Sequence, residues 1–198
     1  MANTGNQVTL HTSAGCDMSG IKRIETGTPV TTACNSKGNT GCIVQAPPPT
    51  SGEQFNQNGG GVSCRNFFFF FFFCLSLNVC LIFDMQIYAT ELRDDGIRTW
   101  FFPRSSIPQD ITSENPDPSS WGTAMADFPN TKCPISKHFK NQRIVVNISM
   151  CGDLASQPQF YQGASHCPGN CKQFVQTNAE AFTEAYWEFS SFKIFNSS

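Results

Sequence analysis

Apolar and polar positions alternate in short runs along most of the chain. In NQVTLHT (residues 6–12), Val8 and Leu10 fall on one side while Thr9 and His11 fall on the other, which predicts a half-buried strand. Residues 87–92 and 97–102 flank Arg93-Asp94-Asp95-Gly96, a hairpin turn in which Gly96 is expected at positive φ. Residues 143–150 and 185–195 are β-branched or aromatic and read as two further strands. Asn170 to Asn178 predicts one short helix, preceded by Cys167-Pro168-Gly169. Residues 26–51, with the stop Pro47-Pro48-Pro49, and the polar stretch 103–129 read as loops. Strands joined by turns, little helix and no internal repeat indicate an all-β sandwich.

One segment obeys neither period. Seven consecutive phenylalanines (67–73) fit neither the 2-residue repeat of a strand nor the 3.6-residue repeat of a helix. A membrane span is short of the ~20 apolar residues required, is interrupted by Ser76 and Asn78, and lacks flanking basic clusters. A buried helix of repeated Phe would overpack on one side. The codons offer a third reading. Val62-Ser63 can be written as a splice donor, the Phe run as a pyrimidine tract, Leu77-Asn78 as a branch point and Met85-Gln86 as an acceptor. Residues 62–86 are therefore read as a retained intron translated in frame. Its removal joins Gly61 to Ile87, so a Gly turn runs straight into the alternating strand.

Composition narrows the class. At 198 residues the chain is long enough for one domain with its own core. A net charge of −2 offers no electrostatic footprint for nucleic acid, and no membrane partner is expected. Ten cysteines indicate an oxidising compartment, and the sequons at Asn147 and Asn196 are candidate glycosylation sites compatible with secretion. The polar opening MANTGNQVTLHT is not a signal peptide, so a secreted composition here implies a missing N-terminus. Without 62–86 the disulfide candidates are Cys16, Cys34, Cys42, Cys133, Cys151, Cys167 and Cys171, an odd number that leaves one orphaned.

Each candidate for chemistry has a structural alternative. His166-Cys167-Pro168-Gly169-Asn170-Cys171 lacks the second ligand pair that zinc requires, and suits a short loop stapled by a disulfide. Gly59-Gly60-Gly61 lacks the Lys-Ser/Thr of a phosphate loop, and no metal is expected. Glu184 and Glu188 on a strand stand roughly 13 Å apart, too far for glycosidase geometry, and read as solvent-facing acids. The face carrying Thr9 and His11 fits a solvated sheet surface or a substrate groove, and composition does not choose between them.

Read in order, NQVTLHTSAGC, NSKGNTGCIVQAP, FNQNGGG, IYATELRDDGIRTWFFPRSSIPQDI, PSSWGTAMADFP, CPISKHFKNQRIVVNISMCGD and CPGNCKQFVQTNAEAFTEAYWEFSSFKIF resemble fungal glycoside hydrolase family 16, of the secreted endo-1,3(4)-β-glucanase or laminarinase type. The resemblance covers the chain except residues 62–86. It implies a β-jelly-roll sandwich of the concanavalin A-like type, present here as its C-terminal portion only. It further implies an extracellular, monomeric enzyme acting on β-glucan without a cofactor. The family's Glu-x-Asp-x-x-Glu motif is absent, for the seven glutamates of this chain show no such spacing. The motif is expected upstream of Met1, as is a cysteine to partner the orphaned thiol. By the same resemblance His11 lies beside the catalytic strand and faces the groove. Glu91, Trp100 and Trp121 are implied sugar contacts, with burial in the core an equal alternative for the two tryptophans. Leu154 stands where relatives carry a cleft-lining Trp.

The sequence thus reads as residues 1–198 of a partial family 16 sandwich interrupted by 62–86, from a β-glucan hydrolase and inactive as written. The alternative is a non-catalytic, lectin-like glucan-binding or cell-wall protein. A full-length cDNA read is expected to lack the codons for 62–86 and to extend upstream through Glu-x-Asp-x-x-Glu. A transcript retaining that segment and starting at Met1 favours the alternative.

Overall fold

The computed structural model describes residues 6–35, 41–50, 87–146, 148, 150–152, 156–164, 166–183, 185–186, 189 and 191–196. The phenylalanine run, Gly59 to Gly61, Asn147, Leu154, Glu184 and Glu188 lie outside them. The described residues divide into two compact units, one drawn from 6–143 with 195–196 and one from within 144–194.

In the first unit, β1 (Gln7–Leu10), β2 (Thr28–Thr31) and β3 (Cys42–Gln45) form an antiparallel sheet in the order β1-β3-β2. A second antiparallel sheet contains β4 (Ile87–Arg93), β5 (Gly96–Phe102) and β6 (Ala126–Pro129) in that order. Alternation along the strands decides what each face meets. Leu10, Cys42 and Val44 turn inward from the first sheet, and Ile97, Ala126 and Phe128 from the second, to share one core with Met18 and Ile135. Phe128 and Val44 are fully buried, and such a side chain contributes about 1.5–3 kcal/mol relative to exposure. The opposite face of β5 packs Trp100 and Phe102 beneath the loop that carries Ile111, Trp121 and Ala124.

The hairpin forms where the sequence places it, with one difference. Arg93 pairs with Gly96, leaving Asp94 and Asp95 as the two-residue turn. Gly96 is not among the residues of positive φ. It serves close approach instead, since an added Cβ would stand 3.0 Å from the Phe128 carbonyl oxygen across the β5–β6 pair. Strands β2, β3 and β6 occupy stretches whose turn-rich composition reads as loop. They are only four residues long, too short to display a period. Conversely, residues 143–150 and 185–195 form no strand among the described residues. Ile144, Val145 and Ile194 are 60%, 75% and 78% exposed. β-propensity becomes a strand only where a neighbouring backbone pairs with it, and none does so there among the described residues.

Disulfides tie distant parts of the first unit. Cys16–Cys133 joins residues 117 apart, and beside it the Asp17 amide donates to the Lys132 carbonyl oxygen at 3.1 Å. Cys34–Cys42 closes the loop that leads into β3. In the second unit Cys151 pairs with Cys171, not Cys167 with Cys171 as the Pro-Gly turn suggested. Cys171 opens α3 (Cys171–Thr177; α1 is Gln109–Thr112 and α2 Ile135–His138), where helix geometry turns it toward Cys151 in a cluster with Tyr161. Asn170 caps α3 by accepting from the Gln173 amide at 2.8 Å, in agreement with the predicted helix. Six of the seven candidate thiols pair among themselves, which leaves Cys167 as the odd one of the seven, and it too is disulfide-bonded. The chain as it stands holds ten cysteines, an even number.

The two sheets are laced where β2 begins. The Thr26 and Gly27 amides each donate at 2.9 Å, to the Ala124 and Met125 carbonyl oxygens. A Cβ on Gly27 would lie 2.5 Å from Val44 Cγ1 and 2.6 Å from the Met125 oxygen. Gly27→Ala is therefore expected to destabilise the fold by about 1–3 kcal/mol through overpacking, read as a lower urea midpoint with unchanged slope.

Candidate functional site

Two outward faces of the first unit carry polar side chains, one on each sheet. On the first sheet the side chains that alternate away from the core are Gln7 and Thr9 of β1 and Ile43 and Gln45 of β3. Register pairs Gln7 with Gln45 and Thr9 with Ile43, so the four form two adjacent cross-strand pairs. Gln7 Nε2 donates to Gln45 Oε1 at 2.9 Å, and Gln45 Nε2 donates to the Asn6 carbonyl oxygen at 3.0 Å. His11 follows β1 directly and is exposed. The pattern is a shallow strip of amides, hydroxyl and imidazole around one half-buried isoleucine.

The second outward face holds the other three residues singled out by sequence. Glu91 lies directly opposite Arg98 on β5, and Arg98 lies opposite Asp127 on β6. Arg98 Nη1 meets Glu91 at 3.2 Å, its Nη2 meets Asp95 at 2.9 Å, and its Nε lies 3.4 Å from Asp127. Arg93 adds a second contact to Glu91. This ladder borders a cleft of about 500 Å³ between the sheet and residues 117–122. Trp100 lies at its edge but is only 4% exposed, and its Nε1 donates to the Gly122 carbonyl oxygen at 3.1 Å. Trp121 donates Nε1 to Asp110 Oδ2 at 2.7 Å and stacks edge-on against Trp100 and Phe102, with centroids 5.2 and 5.5 Å apart. Both indoles are thus packed and hydrogen-bonded, Trp100 buried and Trp121 half-buried.

The structure therefore does not gather the four residues into one site. His11 is on the outward side of one sheet, while Glu91, Trp100 and Trp121 are on the outward side of the other, with the shared core between. Sequence reading missed Gln7, Ile43 and Gln45, since Cys42-Ile43-Val44-Gln45 alternates over only four residues within a turn-rich stretch. It also missed Arg98 and Asp127. Counting outward from a two-residue Asp94-Asp95 turn places Arg98 opposite Glu91.

Electrostatics extends the ladder inward. Arg23 and Glu25 form a pair at 3.3 Å with both side chains 4% exposed, and Glu25 Oε2 accepts from the Asp127 amide at 2.9 Å. Burial raises the Glu25 carboxyl above its ordinary value, opposed by the Asp127 amide and the Arg23 charge. At the exposed end, the hydrogen bond from Arg98 holds the Asp95 carboxyl below the usual aspartate range.

Residues 1–68 and 85–195 match the family model of the XgeA-like catalytic domain of glycoside hydrolase family 16. The chain belongs to that family. A Schizosaccharomyces pombe "probable glycosidase" is 42% identical over 97% of this family 16 chain, which spans 41% of that relative. An Aspergillus fumigatus "probable endo-1,3(4)-beta-glucanase" is 36% identical over 96% of the chain, which spans 26% of it. Among solved structures, the family 16 laminarinase 16A of Phanerochaete chrysosporium superposes with a TM-score of 0.70 and 38% identity. That alignment covers 94% of this chain and 56% of the laminarinase, which holds β-glucans in both donor and acceptor sites. The chain thus spans less than two thirds of each of these relatives, and its fold is that of the all-β jelly-roll glucanases.

Removing one partner of the buried pair tests its energetics. Glu25→Ala leaves Arg23 buried without its anion and is expected to cost about 3–5 kcal/mol in chemical denaturation. In the unaltered chain, folded Glu25 takes up a proton more readily than unfolded Glu25, because its folded-state pKa is raised. Its share of stability therefore falls as pH climbs from the ordinary glutamate value through the raised one, a trend that Glu25→Gln removes from the pH–stability curve.

Proposed function

We propose that this chain supplies a sugar-facing wall of an endo-acting, retaining β-1,3(4)-glucan hydrolase of the extracellular type, and that glucan lies along the outward face of β1 and β3. The observation that carries this reading is the strip of Gln7, Thr9, His11, Ile43 and Gln45 on one sheet face, in a chain similar to a laminarinase that holds β-glucans. Amide and imidazole groups can each donate and accept, which suits sugar hydroxyls, and the half-buried Ile43 offers an apolar floor for C–H faces. Glu91, Trp100 and Trp121 have no part in this strip and serve packing and charge pairing on the other sheet.

Retaining hydrolysis requires a nucleophilic and a proton-donating carboxyl about 5–5.5 Å apart. The sequence contains no Glu-x-Asp-x-x-Glu, so we assign both acids to a segment preceding Met1 and expect these 198 residues to bind glucan without cleaving it. The family match breaks between residues 68 and 85, which supports reading 62–86 as an insertion foreign to the domain. Asn196 is exposed and remains a proposed glycan site.

Affinity electrophoresis tests the proposal. The full chain is expected to migrate more slowly in a gel containing laminarin, and His11→Ala to restore the mobility seen without polysaccharide. Unretarded migration of the unaltered chain overturns the glucan face. Release of reducing sugar from laminarin by the purified chain overturns the placement of the acids upstream.

A further inference from the structure

His11 is exposed, so something other than burial must fix its ring if the ring is to meet a ligand in one orientation. The contact that does so comes from Gly41. This residue is buried, sits at φ +67°, and lies so close to β1 that an added Cβ would stand 2.6 Å from the Leu10 carbonyl oxygen, 2.7 Å from Thr9 Cγ2 and 2.8 Å from His11 Cε1. Its backbone has little room to withdraw. The next residue, Cys42, is tied to Cys34 by a disulfide and lies in β3 opposite Leu10. The Gly41 carbonyl oxygen accepts from Thr31 Oγ1 at 2.7 Å, and that same hydroxyl oxygen accepts from the Ile43 amide at 2.9 Å. One threonine side chain thus holds both ends of the residue pair across the irregular β2–β3 register.

We infer that Gly41 is a positioning residue for His11: its missing side chain admits the backbone against the imidazole edge and sets the ring's orientation on the outward face of β1. The consequence for glucan rests on the function proposed above, but the consequence for the ring does not.

The full 198-residue chain with its disulfides formed, labelled with carbon-13 at histidine Cε1, tests this by NMR, the His11 signal being the one lost in His11→Ala. Gly41→Ala is expected to move that signal, to leave those of His138 and His166 in place, and to weaken binding of laminari-oligosaccharide. Gly20→Ala is the control for backbone strain alone. Gly20 has the same φ of +67°, and its nearest neighbour is Lys132 Nζ at 4.0 Å. An unmoved His11 signal in Gly41→Ala, or an equal displacement in Gly20→Ala, overturns the inference. Should Gly41→Ala unfold the chain, Thr31→Val releases the same backbone without adding bulk, and an unmoved His11 signal there overturns it as well. If Gly41→Ala moves the ring while His11→Ala still binds oligosaccharide normally, the positioning stands and the glucan reading falls.

Discussion

Burial of one apolar layer between two sheets governs the first unit. Leu10, Cys42 and Val44 face Ile97, Ala126 and Phe128, and period-2 alternation leaves every other side chain of those strands pointing outward. A one-residue slip in either sheet would exchange its core for its surface, so register is fixed by the hydrophobic pattern itself. The chemistry available on each side follows directly. The first sheet turns out uncharged hydrogen-bonding groups, and the second turns out a carboxylate–guanidinium ladder and indoles already engaged with the chain.

That division explains why two similar-looking sets of residues serve different ends. Arg98 is surrounded by Glu91, Asp95 and Asp127, so its charge is answered within the sheet and joins three strands laterally. Such partly exposed pairs contribute little stability singly, and their value lies in fixing which strand sits opposite which. Across the core, Gln7, Thr9 and Gln45 are uncharged side chains with no countercharge to satisfy. A neutral, hydroxyl-rich polymer can approach such a surface without the desolvation penalty of stripping ions.

How far the sequence foretold this depends on how local the signal was. The hairpin of β4 and β5 was legible because seven-residue strands show their period and Asp94-Asp95 marks the turn. The short helix expected over Asn170 to Asn178 was legible too, and α3 forms within it with Asn170 as its cap. Strands β2, β3 and β6 were not, because four residues between prolines, glycines and cysteines are too few to establish a period, and each is fixed by a partner strand: β2 by β3, β3 by β1 and β2, and β6 by β5. The residues of the proposed glucan face divide the same way. The resemblance singled out His11, and β1 alternation gave its side. Its neighbour Gly41 was hidden, since a close approach between residues 30 apart in sequence leaves no mark on either segment. For the tryptophans, aromaticity alone left sugar platform and packed anchor as equal alternatives, and their hydrogen-bond acceptors, Gly122 and Asp110, come from contacts that the sequence does not display.

The bond between Cys16 and Cys133 makes the first unit a covalent ring. Everything from residue 17 to residue 132 is held inside that closure, including β2 through β6 and the stretch read as foreign to the domain. A protease cutting once anywhere in that span therefore opens the ring without parting its ends. The nicked product stays in one piece until a reductant is added, and a single cut within residues 62–86 would likewise release no fragment.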